Sequence, residues 1–345
     1  MPVGASNERK TIQMSPSTRK SAGKAEVARP SGAHVPEPNF TASNAFLQTW
    51  GPLGEYATDA AQRTILFWDV LRQRSEQYYA QKAKAVPHVL SFDAELVLDA
   101  RTFVKPVNYL LVRIKPPAGV VIDPLKRPFV VIDPRAGHGP GIGGFKADSE
   151  IGVALRAGHP CYFVGFTPEP MPGQTIEDII YAEIAFLEKV VELHPQAEGK
   201  PCVIGNCQAG WAVLLVAAIR PDLFGPIIVP GSPLSYWAGI EGQNPMRYTG
   251  GLSGGSWITA LTSDLGNGKF DGGYLVENFE NQNPANTWWT KNYNLWSKVD
   301  TEADRFLEFE KWWGGHVNLN GEEIQWIVDK LFIGNRLATG EIVTA

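Results

Sequence analysis

The chain has 345 residues, of which 44% are hydrophobic, and a formal net charge of −5. This length accommodates one large α/β domain with an accessory region, and a negative chain without a dominant basic stripe is not expected to bind nucleic acid. No run of about 18 apolar residues predicts a transmembrane helix. The polar N-terminus does not resemble a secretory signal, and three cysteines do not form a disulfide scaffold. We therefore expect a cytoplasmic protein.

The N-terminal segment, residues 1–44, is rich in Ser, Pro, Lys, Ala and Gly, and we predict that it is a disordered tail. An N-terminal helical region, residues 45–104, follows, and its main helix is predicted over 57–84. We predict that one face of this helix docks against protein rather than membrane, because its charged neighbours do not form a basic anchor. The residues of that face are Ala60, Thr64, Phe67, Leu71 and Tyr78.

Strand-like and helix-like segments alternate through residues 105–234. The predicted strands are Tyr109–Ile114, Phe129–Ile132, Tyr162–Phe166, Cys202–Gly205 and Pro226–Val229. The predicted helices cover residues 147–157, 175–193 and 208–220. This alternation is typical of βαβ units, so the sequence predicts an α/β core with a mostly parallel sheet and helices on both faces.

The alternation ends after residue 234, and residues 235–345 are rich in Gly, Asn and Trp. Two interpretations of this C-terminal region remain open. Its aromatic rings form a lid over an apolar substrate channel, or they fill the core of a small subdomain. The tryptophans concerned are Trp237, Trp257, Trp288, Trp289, Trp296, Trp312, Trp313 and Trp326.

A nucleophile elbow is predicted where a short apolar strand runs into the sequence Gly-Asn-Cys-Gln-Ala-Gly and then into an apolar helix. Cys207 stands where such elbows carry serine, so we predict that it is the catalytic nucleophile. Gly205, Ala209 and Gly210 are small because strand and helix pass close together at such a turn. The helix N-terminus should favour the thiolate, and the N–H of Gln208 should donate to an oxyanion.

A glycine-rich loop, residues 133–144, follows the strand Phe129–Ile132. In hydrolases with an elbow, this loop supplies a second backbone N–H to the oxyanion, and Ala136 or Arg135 is the candidate donor. His138 lies in the same loop. It either orders the loop or serves as an unusual base for Cys207.

The loop also offers an alternative function, because Gly139-x-Gly141-x-x-Gly144 matches a dinucleotide-binding fingerprint. Two details disfavour this alternative. Several residues separate the strand from the first glycine. The fingerprint also requires an acidic residue about 20 positions after the glycines, and Glu169 comes later than that.

The remaining histidines and cysteines are predicted to be structural. His316 is the exception, because it caps the helix-like segment Glu322–Leu331 or enters the active site from the C-terminal region. The residues predicted to be structural are His34, His88, His159, His194, Cys161 and Cys202.

Residues 109–238 resemble the polyhydroxyalkanoate synthases and an uncharacterised branch of synthase-like relatives. The resemblance implies an α/β-hydrolase fold in which Cys207 takes a hydroxyacyl group from coenzyme A and passes it to a growing polyester. It implies an acyl-CoA or ester as substrate, with no bound cofactor and no metal ion. The residues that carry it are the Pro134 loop, Ser149-Glu150, Ala157-Gly158-His159, the helix Gln174–Leu187 and the box around Cys207.

The sequence departs from that family in two places. Ala209 stands where the synthases usually have glycine, which is a small change. The family's base histidine and its aspartate partner follow the lid, whereas this chain ends at Ala345. We therefore predict a chain truncated before that part of the triad, with impaired activity.

Two other functions remain open. The same elbow can serve an esterase or thioesterase, with water as the acyl acceptor. A non-enzymatic protein that binds a partner or a polyester granule surface, using the predicted helix 57–84, is the second alternative. An incomplete sheet exposes apolar edges, so a homodimer is also expected.

Overall fold

The computed structural model describes residues 43–84, 88–252 and 255–344. The chain divides into two units, Met1–Glu55 and Tyr56–Ala345. Within the first unit the described residues are helical and belong to α1 (Ser43–Lys82). The predicted disordered tail therefore lies outside the described residues, apart from its last two positions.

A six-stranded sheet forms the centre of the second unit. Its strands are β1 (Ala94–Asp99), β2 (Tyr109–Ile114), β3 (Phe129–Ile132), β4 (Cys161–Phe166), β5 (Cys202–Gly205) and β6 (Ile227–Ile228). The strand order is β1-β2-β4-β3-β5-β6. Strands β4, β3, β5 and β6 run parallel, whereas β2 runs antiparallel to β1 and β4. The predicted mostly parallel sheet is confirmed.

Strand β1 was not predicted, and it lies in the region predicted to be helical, residues 45–104. Its sequence, Ala-Glu-Leu-Val-Leu-Asp, is dominated by residues that favour helices. Pairing with residues Leu110 to Ile114 of β2 at the edge of the sheet outweighs that local preference.

Helices cover both faces of the sheet, as predicted. They are α2 (Glu150–Arg156), α3 (Ile176–Leu193) and α4 (Ala209–Ile219). Successive side chains of β3 point to opposite faces, so Val130 and Ile132 join one core cluster with α3 and α4, whereas Val131 joins another with α2. Hydrophobic burial on both faces explains why the strands read as continuous apolar runs.

The C-terminal region, residues 235–345, is mostly helical where it is described. Its α-helices and strands are α5 (Trp257–Leu265), β7 (Lys269–Phe270), α6 (Gly273–Asn281), α7 (Lys291–Ser297), α8 (Val299–Trp313), β8 (Leu319–Asn320), α9 (Gly321–Trp326) and α10 (Arg336–Thr339). Three further segments are π-helical: Arg247–Leu252, Ala285–Thr290 and Ile327–Ile333. Phe270, Leu319 and Ile324 belong to the same apolar cluster as the sheet and α3. Trp312 is buried, whereas Trp288 and Trp289 are exposed. The lid function stays a prediction.

Within the second unit, α1 packs against α7 and α8. Phe67 and Leu71, two members of the predicted docking face, lie with Val70 against Leu295 and Val299. Part of that face is therefore covered by the chain itself. None of the helices in the described ranges combines the length and the apolarity needed to span a bilayer.

A buried ion pair joins the glycine-rich loop to α9. The Arg135 guanidinium donates to Glu323 Oε2 at 3.0 Å, and both side chains are almost fully buried. Gln174 Nε2 donates to Glu323 Oε1 at 2.9 Å, and Asn108 Oδ1 accepts from Arg135 at 3.0 Å. Each charge is thus paired and hydrogen-bonded, which is the condition for burying it at tolerable cost.

Glu323→Gln tests this arrangement, because it leaves the Arg135 charge buried without a countercharge. We expect the free energy of unfolding to fall by about 3–5 kcal/mol, measured by urea denaturation. The control is Glu192→Gln, which removes an exposed partner of Lys189 on α3 and should change stability by no more than about 0.5 kcal/mol. Equal losses in the two variants would contradict the importance of the buried pair.

Candidate active site at the strand–helix elbow

Cys207 lies in a sharp turn between β5 and α4. Its φ angle is 48°, in the left-handed region that L-residues other than Asn and Asp rarely occupy. The Cys207 N–H donates to the carbonyl of Pro230 at 3.0 Å, and the Cys207 carbonyl accepts from Gly210 N–H at 3.1 Å. Backbone strain held by surrounding hydrogen bonds is common at catalytic residues.

The elbow requires small residues because β5 and α4 almost touch. A Cβ atom at Gly205 would lie 2.9 Å from Gly210 Cα and 2.8 Å from a methyl group of Val213. A Cβ atom at Gly210 would lie 2.2 Å from Ser232 Oγ. Ala209 is buried between the two elements, and its carbonyl oxygen would lie 3.0 Å from a Cβ at Gly205.

The Cys207 thiol is half-buried, and burial raises its pKa. The backbone N–H of Gln208 acts in the opposite direction, as the sequence predicted for the helix N-terminus, whereas the nearby Asp133 carboxylate raises the pKa further. Desolvation is the largest of these effects, so in the free protein the neutral thiol is favoured over the predicted thiolate. Cys161 and Cys202 are buried in the sheet, and burial raises the pKa of Cys161 to about 12.

Several buried polar atoms around the elbow have no hydrogen-bond partner among the residues that the structure describes. Asp133 Oδ2, Gln208 Oε1 and Ser232 Oγ are three of them. Gln208 follows Cys207 directly, and Ser232 lies against Gly210. Unsatisfied buried groups are uncommon in folded proteins, and those on residues next to a strained cysteine are candidates to receive a polar reactant.

Asp133 and Ser232 were not identified from the sequence. A signal for Asp133 was present, because an acid that directly follows a buried parallel strand lies at the carboxyl edge of the sheet, where sites of α/β proteins form. Ser232 carries no comparable signal. It reaches the elbow because the chain returns beyond β6 past Gly210.

The backbone of the glycine-rich loop is largely engaged with the protein itself. Gly141 N–H and Ile142 N–H donate to Asp133 Oδ1 at 2.8 and 2.9 Å. Ala136 N–H donates to the Pro134 carbonyl at 2.9 Å. Amides that already bind a carboxylate are not available to a pyrophosphate, which argues against the dinucleotide alternative.

The predicted oxyanion donors of this loop are placed differently. The Arg135 side chain points away from the elbow toward Glu323, so only its backbone N–H remains a candidate. The Ala136 N–H would have to leave the Pro134 carbonyl to reach an oxyanion. Both assignments stay predictions, as does that of Gln208.

His138 packs into the C-terminal region. Its ring lies 4.5 Å from the ring of Trp312 and 5.8 Å from that of Trp313, and Nδ1 is 3.0 Å from the Gly139 carbonyl oxygen. Burial lowers the pKa of His138 to about 4. No contact with Cys207 is found for it within the described ranges, so the structure favours the loop-ordering function over the function of a base.

His316 does not cap the following helix, and that prediction is wrong. Asn320 caps α9 in a capping box with Glu323. His316 instead borders two cavities, of about 610 and 370 Å³, together with Tyr78 and Asp271. Cys207 lines neither of these cavities, so the structure does not place His316 at the elbow.

His159 and His194 make local contacts, whereas the buried Nδ1 of His88 has no hydrogen-bond partner among the described residues. His159 Nδ1 lies 2.8 Å from the Arg127 carbonyl oxygen, and His194 Nε2 lies 2.8 Å from the Tyr162 hydroxyl. Both contacts fix turns beside strands. In the described part of the chain, no three His, Cys, Asp or Glu side chains are grouped so that they could hold a metal ion. The sixth histidine, His34, lies outside the described residues.

Comparison with known proteins assigns the chain to a family. The family model described as "Protein of unknown function (DUF3141)" matches residues 59–345. The chain belongs to the DUF3141 family. A curated relative, the "Uncharacterized protein in ackA 5'region" of Rhizobium meliloti, is 71% identical over 290 residues. That alignment covers 84% of this chain and 40% of the relative, so the DUF3141 chain spans less than half of the relative's length.

Solved structures of esterases and hydrolases are only partly similar to the DUF3141 chain. A probable hydrolytic enzyme of Pseudomonas aeruginosa PAO1 is 13% identical with a TM-score of 0.36, covering 66% of this chain and 65% of that one. A carboxyl esterase of Bacillus coagulans is 10% identical with a TM-score of 0.34, covering 52% of each chain. The α/β-hydrolase-like fold rests on the strand order, the helices on both faces and the elbow of this chain itself.

The depressed pKa of His138 predicts a loss of stability in acid. The unfolded histidine binds a proton below its ordinary pKa of 6.5, whereas the folded one does so only near 4. Stability is therefore lost as the pH falls through this interval. Between pH 7 and pH 5, we expect the free energy of unfolding to fall by about 2 kcal/mol less in His138→Phe than in the wild type. This variant keeps an aromatic ring beside the tryptophans.

Urea denaturation of both proteins at the two pH values measures this difference. Phe309→Leu is the control, because it alters another ring that packs against Trp312 and Trp313 without removing a titratable group, and it should leave the loss unchanged. A wild-type loss that persists in full in His138→Phe would show that other groups cause it.

Proposed function

We propose that the DUF3141 chain carries the nucleophile of an acyl-transfer enzyme, in which Cys207 forms a covalent acyl-thioester. The observation that supports this most directly is the left-handed backbone of Cys207 between β5 and α4. A non-glycine residue is held in such a conformation only where the surroundings enforce it, and at an elbow the strained turn presents the nucleophile at the end of the strand.

The proposed chemistry begins with attack of Cys207 Sγ on the carbonyl carbon of the substrate. Negative charge then develops on the carbonyl oxygen, where the N–H of Gln208 at the start of α4 is available to stabilise it. The unpartnered polar atoms of Gln208 and Ser232 are suited to hold polar groups of the substrate.

The nature of the nucleophile favours a thioester as substrate. Attack of a thiolate on a thioester exchanges one thioester for another of similar energy, whereas attack on an oxygen ester forms a less stable bond. Hydroxyacyl-CoA is accordingly the proposed donor, in line with the resemblance to the polyhydroxyalkanoate synthases. The acyl group then passes to an alcohol, which makes the reaction a transfer, or to water, which makes it a hydrolysis.

Transfer to an alcohol and hydrolysis make different demands on the site. Transfer requires that water be kept from the acyl-thioester, and the C-terminal region is the element that would exclude it. Its Val317 N–H donates to the Gly137 carbonyl at 3.0 Å, and Gly139 N–H donates to the Trp312 carbonyl at 3.0 Å. The backbone of this region is therefore hydrogen-bonded to the backbone of the glycine-rich loop.

Mass spectrometry tests the proposal by detecting acylation of Cys207 after incubation with a 3-hydroxyacyl-CoA. We expect one acyl group on Cys207 in the wild-type chain and none in Cys207→Ala. Where turnover occurs, release of coenzyme A should fall on the order of 10³-fold or more in that variant. Free hydroxy acid as the product would indicate hydrolysis, and oligomeric ester would indicate transfer.

Cys202→Ala is the matched control, because that thiol lies five residues earlier in β5 and is buried in the sheet. It should retain acylation. The non-enzymatic alternative gains support if no acyl group is found on Cys207 and if alkylation of Cys207 is no faster than that of Cys202.

A further inference from the structure

Asp133 lies beside the elbow as a consequence of strand register. Ile132 pairs with Gly205 at the ends of two parallel strands, so the next residues along each strand, Asp133 and Asn206, are also neighbours. Cys207 follows Asn206. The pKa of Cys207 responds to the charge of Asp133, which places the carboxylate within electrostatic range of the thiol.

The two oxygens of Asp133 have different surroundings. Oδ1 accepts the N–H groups of Gly141 and Ile142, whereas Oδ2 is buried without a partner in the described part of the chain. The side chain as a whole is only 1% exposed. One carboxylate oxygen is enough to anchor the loop. The fold therefore does not explain why the second oxygen is buried without a partner.

Few other charges reach this pair. Strands β3 and β5 and helix α4 carry no charged residue. From α2, Glu150 Oε2 accepts from the Asn206 amide at 2.8 Å. From the loop, Arg135 is paired with Glu323, and the His138 ring is turned toward Trp312. The pKa of Asp133 is shifted by burial and by backbone N–H groups. The pKa of Cys207 is shifted by burial, by a backbone N–H group and by the Asp133 charge.

We propose that Asp133 is the proton acceptor for the Cys207 thiol, acting through one intervening water molecule. This assignment rests on the proposed acyl-transfer function. It is carried by the strand register and by the unpartnered Oδ2.

The water molecule is part of the proposal because no hydrogen bond joins Asp133 Oδ2 to another described group. Gln208 Oε1 and Ser232 Oγ are further unpartnered polar atoms at the elbow. A buried water needs two to four polar partners, and in this proposal Asp133 Oδ2 and the Cys207 thiol are two of them.

The acylation step moves one proton from Cys207 to Asp133. The Sγ–H bond breaks, the water takes that proton and passes one of its own to Oδ2, and the carboxylate becomes a carboxylic acid. Sulfur then forms a bond to the carbonyl carbon, and the negative charge moves to the carbonyl oxygen. When the intermediate collapses, the departing coenzyme A thiolate takes the proton back from Asp133.

The acidity of Asp133 suits this step. Burial raises its pKa well above the ordinary value, against the effect of the two backbone N–H groups. A carboxylate with a raised pKa is a stronger base, and proton transfer is most efficient when the pKa values of donor and acceptor approach each other.

The pH dependence of two rates tests the proposal: alkylation of Cys207 by iodoacetamide, followed by peptide mass spectrometry, and acylation of Cys207 by the 3-hydroxyacyl-CoA. In Asp133→Asn we expect the midpoint of alkylation to fall by about one pH unit, because a negative charge beside the sulfur is removed. We expect acylation to slow by about 10²- to 10⁴-fold, because the proton acceptor is lost.

Opposite changes of the two rates are the signature of a proton acceptor, since a merely structural defect would move both in the same direction. Asp133→Asn keeps one oxygen for Gly141 and Ile142, and Asp133→Ser is a second variant with a smaller acceptor. Glu183→Gln is the matched control. Glu183 is another fully buried carboxyl group with a raised pKa, of about 8, and its charge is not among those that act on Cys207.

The outcomes separate this proposal from the proposed function. If Asp133→Asn is acylated at the wild-type rate, the proposal for Asp133 is wrong, and the acyl-transfer function is unaffected. An alkylation midpoint that moves by less than about 0.3 pH unit would also overturn it, because the two groups would then be uncoupled. If wild type is not acylated at all, the proposed function fails, and the alkylation profile still reports whether Asp133 and Cys207 titrate together.

Discussion

The close approach of β5 to α4 is the constraint on which the site depends. Because the strand ends and the helix begins within a few residues, Cys207 must adopt a left-handed backbone, and Gly205 and Gly210 cannot carry side chains. The same approach directs the sulfur to the carboxyl edge of the sheet, where the glycine-rich loop and the residues after β6 also converge. An ordinary turn of several more residues would relieve the strain and bury or release the thiol.

The glycine-rich loop connects that edge to the rest of the molecule. On its inner side two amides bind Asp133, and on its outer side Gly137 and Gly139 make backbone contacts with the C-terminal region. A Cβ at Gly137 would lie 2.0 Å from the Gly272 carbonyl oxygen, so this contact tolerates no side chain. The loop and the C-terminal region are therefore in close backbone contact.

Burial governs the charges of the site. It keeps the Cys207 thiol neutral despite the helix N-terminus, keeps His138 neutral between two tryptophans, and raises the pKa of Asp133. Arg135 and Glu323 are buried together as an ion pair. The two buried acids of this region therefore differ. Glu323 is paired with Arg135, whereas Asp133 lies beside the nucleophile without a countercharge among the described residues.

The sequence by itself determined the features that depend on local pattern: the apolar strands, the helices between them and the elbow around Cys207. These predictions succeed because periodicity and the steric requirements of a tight turn depend on residues that are close together in the sequence. It did not determine β1, whose residues favour a helix, or the cap of α9, which is Asn320 rather than His316. Only the tertiary structure brought Asp133 and Ser232 to the elbow and paired Arg135 with Glu323, because strand register and burial arise from residues far apart in the chain.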